Sequence, residues 1–194
     1  VYTYAWTTVG GSGLVAAAAD QTGLGPGTYT VTVTDQNSCP ITDTYTIAEP
    51  DALAVSADLS THNGFNITCY DANDGAIDVT ASGGVLVAPA VYTYAWTTSD
   101  GSGLVAAAED QTGLGPGSYT LTITDSNNCP KIETYTITEP DALAITETIP
   151  QYNGFQISCN GANDGAIDVT VTGGTSVYTY AWTTVGGSGL VAAA

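Results

Sequence analysis

Apolar and polar positions alternate with a period of two through most segments of the chain that lie between Gly-, Asn-, Asp- and Pro-containing turns. Leu53, Val55, Ala57 and Leu59 fall on one side of such a segment, and Ile77 and Val79 on one side of GAIDVT. Tyr92, Tyr94 and Trp96 share a side of VYTYAWTT. Tyr119, Leu121 and Ile123 share a side of SYTLTIT, and Tyr135 and Ile137 a side of IETYTIT. Ile67 sits in a short segment before Cys69. Thr120, Thr122 and Thr124 form the clearest outward run. This periodicity predicts half-buried β-strands. Six or seven of them between residues 50 and 139, with turn signals between, predict an all-β, two-sheet sandwich. Leu114 to Tyr119 reads as a tyrosine corner, with a hydroxyl bonding back to the backbone, and Trp96 on a central strand as core filling. Only Leu104 to Asp110 (LVAAAED) suggests anything else, a single helical turn or a short edge strand.

The pattern repeats. VYTYAWTT begins at Val1, Val91 and Val177, and VYTYAWTTVGGSGLVAAA at Val1 to Ala18 returns unchanged at Val177 to Ala194. DQTGLGPG recurs at Asp20 and Asp110, NDGAIDVT at Asn73 and Asn163, and EPDALA at Glu49 and Glu139. One loop differs in length: SGGVLVAPAVYTY near Gly83 is longer than TGGTSVYTY near Gly173. Insertions between strands cost little. A chain beginning and ending at the same phase of its repeat reads as a window on a longer array. Proline stiffens a junction and ends strand pairing. The Glu-Pro-Asp steps at residues 49–51 and 139–141 therefore set the frame. Residues 50–139 are one complete repeat, 1–49 the back part of the preceding one, and 140–194 the front part of the next.

Composition narrows the function classes. The chain has one Lys or Arg against nineteen Asp and Glu, for a net charge of -18. Lys131 cannot neutralise a phosphate backbone alone, so nucleic acid is excluded as a partner, and an anionic membrane surface is disfavoured. No apolar run is long enough for a membrane helix, so no membrane insertion is expected in this stretch. Only 10% of residues are charged and 43% are hydrophobic, a balance that suits folding rather than disorder.

The four cysteines, Cys39, Cys69, Cys129 and Cys159, point to an oxidising compartment. Within the frame, Cys69 pairs with Cys129, and Cys39 and Cys159 pair with cysteines outside the sequence. Such a loop would stabilise by roughly 4 kcal/mol. The rival pairing, Cys39 with Cys69 and Cys129 with Cys159, staples neighbouring repeats. Isolated cysteines without CxxC spacing argue against zinc. DANDGAID, from Asp71 to Asp78, has oxygen ligands around a Gly turn and makes Asp71 and Asp74 the candidate calcium ligands. Its copy reads GANDGAID and lacks the terminal Glu of an EF-hand, so a polar turn explains it as well, and no other cofactor is expected.

Catalysis is not expected. His62 is the only histidine, and its counterpart is Gln151 or a neighbour. Lys131 aligns with Ile41, which rules out a repeated Lys–Asn isopeptide. Asn66-Ile67-Thr68 fits a glycosylation sequon, but its copy reads QIS.

The blocks NDGAIDVTASGG, VYTYAWTT, TGLGPGSYTLTITDSNNCP and YTITEP, in that order, resemble the SprB-type repeat of Bacteroidetes cell-surface, gliding-motility adhesins. The resemblance spans essentially the whole chain. It implies tandem immunoglobulin-like β-sandwich domains in a linear array, an extracellular, cell-surface location reached by type IX secretion, and a role in adhesion or gliding. It transfers no catalytic residues. Three roles follow as expectations. The first is a stalk or filament of linked domains whose partners are neighbouring repeats. The second is a ligand-binding module for surface polysaccharide, with Tyr70 and Tyr152 as its platform. The third is an extracellular filament assembled from several chains, with Val85 to Ala90 as its contact.

Overall fold

Thr, Val, Ile and Tyr dominate the alternating segments, and β-branched and aromatic side chains fit a pleated, half-buried surface. In the computed structural model, which describes residues 1–190, every regular element is a strand. Residues 191–194, the end of the recurring eighteen-residue block, lie outside the described residues. The strands are β1 (Thr3–Val9), β2 (Gly27–Thr34), β3 (Pro40–Ile47), β4 (Ala54–Leu59), β5 (Gly75–Ser82) and β6 (Thr93–Thr98). They continue with β7 (Gln111–Leu114), β8 (Gly117–Thr124), β9 (Pro130–Ile137), β10 (Ala144–Thr148) and β11 (Asp168–Thr172). All pairings are antiparallel.

The chain divides into two compact units. One comprises residues 1–52 with 83–85, and the other residues 53–82 with the chain from Leu86 onward. The first holds the sheet β1-β2-β3. The second holds β4-β5-β7, β6-β8-β9 and the pair β10-β11.

Between residues 53 and 137, the two three-stranded sheets share one core. Ile77 and Val79 of β5 and Leu114 of β7 meet Trp96 of β6, Tyr119, Leu121 and Ile123 of β8, and Ile137 of β9, all buried. Ile67, from the loop before β5, fills the same core. Leu53, Val55, Ala57 and Leu59 border it. The predicted inward faces are thus the observed ones. On the outer face the Thr120 and Thr134 hydroxyls meet at 3.1 Å across β8 and β9.

Two buried aromatics fasten the long β6–β8 connection. The Tyr119 hydroxyl lies 2.8 Å from the carbonyls of both Ser102 and Gly115 and accepts the Ser102 N–H at 3.0 Å, so the tyrosine corner forms. Gly101 is required beneath it, because a Cβ there would collide with the Tyr119 ring and hydroxyl. The Trp96 indole N–H donates to the Ala108 carbonyl at 3.0 Å. Leu104 to Asp110 is neither helix nor strand. A turn closed by the Ala108 N–H on the Val105 carbonyl runs there, and the Gln111 side chain holds it by bonding Val105 through both its N–H and its carbonyl.

The other copies follow the same registers. Trp6 faces Val31 and Tyr29 faces Tyr45, as Trp96 faces Leu121 and Tyr119 faces Tyr135. Ile145 faces Val171 as Val55 faces Ala81.

Candidate functional site

The loop from Asn66 to Asp74 carries five of the residues singled out in the sequence, Asn66, Cys69, Tyr70, Asp71 and Asp74, and packs beside the chain leaving β9. The carbonyl of Thr138 accepts the N–H groups of Asn66 at 3.0 Å and Ile67 at 3.3 Å. The Asn66 side chain is used at both ends. Its Nδ2 donates to the Ser60 carbonyl at 2.8 Å, and its Oδ1 accepts from the Thr138 N–H at 2.9 Å and hydroxyl at 2.7 Å. The amide that the sequon would glycosylate therefore ties the β4 end of the repeat to its exit strand. Beyond it, Cys69 and Tyr70 line a groove with Asp141, Leu143, Val171 and Tyr178 of the following segment. The site is a seam between consecutive stretches of repeat.

Asp74 accepts the Thr68 N–H at 3.1 Å and the Thr68 hydroxyl at 2.6 Å, one on each carboxylate oxygen. These bonds, the hydroxyl's first, hold its pKa below the usual carboxylate value. Asp164 accepts the Ser158 N–H at 3.1 Å, and its proximity to the Ser158 hydroxyl and this backbone bond lower its pKa. Asp71 has φ +58°, and its backbone N–H donates to Glu139 Oε2 at 2.6 Å. Its counterpart Gly161 has φ +83°. That left-handed backbone is what the position demands, since Gly and Asp both adopt it readily. Among the described residues, no three His, Cys, Asp or Glu side chains gather where they could hold a metal ion. Within the turn the Asp74 carboxylate holds Thr68, and the Asp71 backbone is held by Glu139.

The Cys69–Cys129 bridge is not formed, which corrects the pairing expected from the repeat frame. All four cysteines are free and exposed. Cys69 lies beside the exit of β9, whereas Cys129 immediately precedes its first residue, Pro130. A strand of that length separates them by roughly 25 Å, far beyond the ~7 Å Cα separation a disulfide tolerates. The chain crosses the sandwich on β5, β6 and β8 between the two cysteines. An odd number of crossings delivers it to the opposite end, and period-two alternation does not reveal that parity.

Tyr70 and Tyr152 are 56% and 42% exposed, on different loops, and their counterparts are Asn160 and His62. His62 is bridged to Phe65 as Tyr152 is to Phe155, so the register makes Tyr152, not Gln151, the partner of His62. In the Val85 to Ala90 insertion, Leu86 and Val87 are exposed, and the Val87 N–H donates to the Ser126 hydroxyl at 3.0 Å. Lys131 pairs with Glu133 at 3.0 Å on the surface. Sequence reasoning missed Asn66 and Gln111 as structural anchors. The recurrence of Gln within DQTGLGPG was a signal for the second, while the sequon reading masked the first.

No helix among the described residues is long and apolar enough to cross a membrane. Comparison with curated proteins found no match. The family model described as SprB repeat matches residues 65–101, which take in β5, β6 and the anchored Asn66–Asp74 loop, and again residues 156–187. The chain thus carries the SprB-type repeat, in two successive copies.

Proposed function

We propose that this chain is a structural stretch of a large extracellular repeat adhesin, whose repeats give reach and stiffness to an adhesive or motile function at the cell surface. The observation that carries the reading is the repeat at residues 50–139, where the conspicuous polar groups hold loops to the scaffold. Tyr119, Gln111, Asn66 and Asp74 each bond loop backbone. A spacer needs that economy, and an enzyme needs groups left over for substrate. The strand order β4-β5-β7 against β6-β8-β9 supports the immunoglobulin-like frame, being the A-B-E and C-F-G order of that sandwich without its fourth A-sheet strand. The high negative charge keeps an array soluble and self-repelling.

Stretching the chain between two surfaces while probing it with a polysaccharide array tests the reading. The expected result is an unfolding event for the 50–139 repeat that releases about 30 nm of contour length, with no saturable glycan binding. Specific binding that is lost on replacing Tyr70 and Tyr152 by Ala would replace the spacer with a ligand-binding module.

A further inference from the structure

Where the repeat at 50–139 passes into the next, every residue from Thr138 to Ala142 is engaged. Thr138 is tied to the repeat it leaves. Its N–H and hydroxyl donate to Asn66 Oδ1, and its carbonyl accepts the N–H groups of Asn66 and Ile67. Glu139 follows, and its Oε2 accepts the Asp71 N–H at 2.6 Å. Pro140 is less than 2% exposed, and its ring fixes φ. The Asp141 carbonyl then accepts the Gly174 N–H at 2.7 Å, and the Ala142 carbonyl lies so close to Gly173 that a Cβ there would collide with it. These last two contacts are the ordinary entry into a repeat. At the start of 50–139 the Asp51 carbonyl accepts the Gly84 N–H at 2.8 Å, and Gly83 lies in the same way against Ala52. The exit is fastened by Glu139. A carboxylate accepting a backbone N–H makes a charge-assisted bond, stronger than a neutral one. The chain's single Lys or Arg, Lys131, is paired with Glu133, so Glu139 meets a backbone donor rather than a basic side chain.

We propose that the Asn66–Asp71 loop is a docking surface for the Glu139-Pro140-Asp141 step, and that the Glu139 carboxylate is the positioning group that sets the direction in which the following repeat leaves. The contacts divide between the two sides. Thr138 and Glu139 are bonded to the repeat behind, Asp141 and Ala142 meet the stretch ahead, and the residue between them is a buried proline. No residue is left over to act as a flexible linker. Each residue of a free linker would add two soft dihedrals about which neighbouring repeats could swivel. Glu139 matters most because it makes the last bond to the repeat behind. Without it that fastening ends at Thr138, and the backbone about residue 139 is free to turn before the proline. The donor is the Asp71 N–H, so the coupling makes no demand on the side chain at 71. Each of its groups lies within the chain, between Asn66 and Gly174. The coupling deepens the spacer reading and takes its purpose from it, since repeats joined in this way pass on orientation as well as tension.

Backbone amide relaxation and hydrogen exchange, measured by NMR on the 194-residue chain, test this with Glu139→Ala and Glu139→Gln as variants. In the wild type the amides of Thr138, Glu139, Asp141 and Ala142 should be as rigid as those of the strands, with order parameters of about 0.85. Glu139→Ala should bring the amides of residues 139 and 141 below about 0.6 and speed exchange at the Asp71 amide by about tenfold or more. Glu139→Gln keeps an acceptor oxygen and should hold both readouts close to wild type. The Trp96 indole and the β8 amides should not change in either variant, because Glu139 lies outside the core, and this separates a loosened junction from a loosened fold. A wild-type junction as mobile as a chain terminus would overturn the proposal. So would an Asp71 amide whose exchange ignores Glu139→Ala, or an alanine variant whose junction amides stay rigid. Failure here leaves folded repeats on a loose junction, whereas failure of the spacer reading appears as saturable glycan binding, which none of these amides reports.

Discussion

Thr68 and Asp74 show how much of this surface chemistry is local. Two bonds from one threonine keep the Asp74 carboxylate ionised below its ordinary range. A group with a lowered folded pKa stabilises above its unfolded value, and that contribution disappears as pH falls through the folded value. Replacing Thr68 by Val should bring the Asp74 titration up toward the ordinary 3.8, which carboxyl-carbon NMR will resolve. Tyr119 works from the interior. Burial, above all, raises its pKa, and its hydroxyl closes three contacts to the connecting loop. Tyr119→Phe leaves the Ser102 N–H without its acceptor and should cost about 1–3 kcal/mol in urea unfolding. Both residues were visible in the sequence, the tyrosine in its true role and Asp74 as a possible ligand. A carboxylate directly after a turn Asn looks the same whether it faces an ion or a threonine hydroxyl.

Among elements, equivalent strands differ in value because their surroundings differ. Trp96 on β6 is 2% exposed in a core enclosed by two sheets, while Trp6 on β1 is half-buried in the same register. Trp96→Ala should therefore cost about 3–5 kcal/mol. Trp6→Ala should cost well under half of that in the same denaturant titration, measured on freshly diluted protein. The strands themselves were legible, since Tyr119, Leu121 and Ile123 alternate with threonines and all three are 0% exposed. Leu104 to Asp110 was not. Its run of alanines has no period, and its turn is fixed by the Gln111 side chain, a contact that local pattern does not encode.

For the molecule as a whole, the repeat phase visible in the sequence identified matching segments, while the ends of the sandwich at which they lie depended on topology. The cysteines carry that lesson. Their regular spacing suggested a bridge, and the crossings of β5, β6 and β8 put Cys69 and Cys129 at opposite ends of β9. All four thiols should react with a thiol reagent in the folded, unreduced monomer, and the intact mass should be that of the fully reduced chain. A mass two hydrogens lighter for each missing thiol pair would reveal a bridge and contradict this arrangement.

The place held by Asp71 in one copy and Gly161 in the next has a bearing on how such arrays diversify. Its requirement is a backbone angle, which two very different side chains meet. Duplicated modules can therefore drift apart at this turn in electrical character while keeping their shape, and neighbours in a long array acquire individual surfaces without any change in the way each one folds.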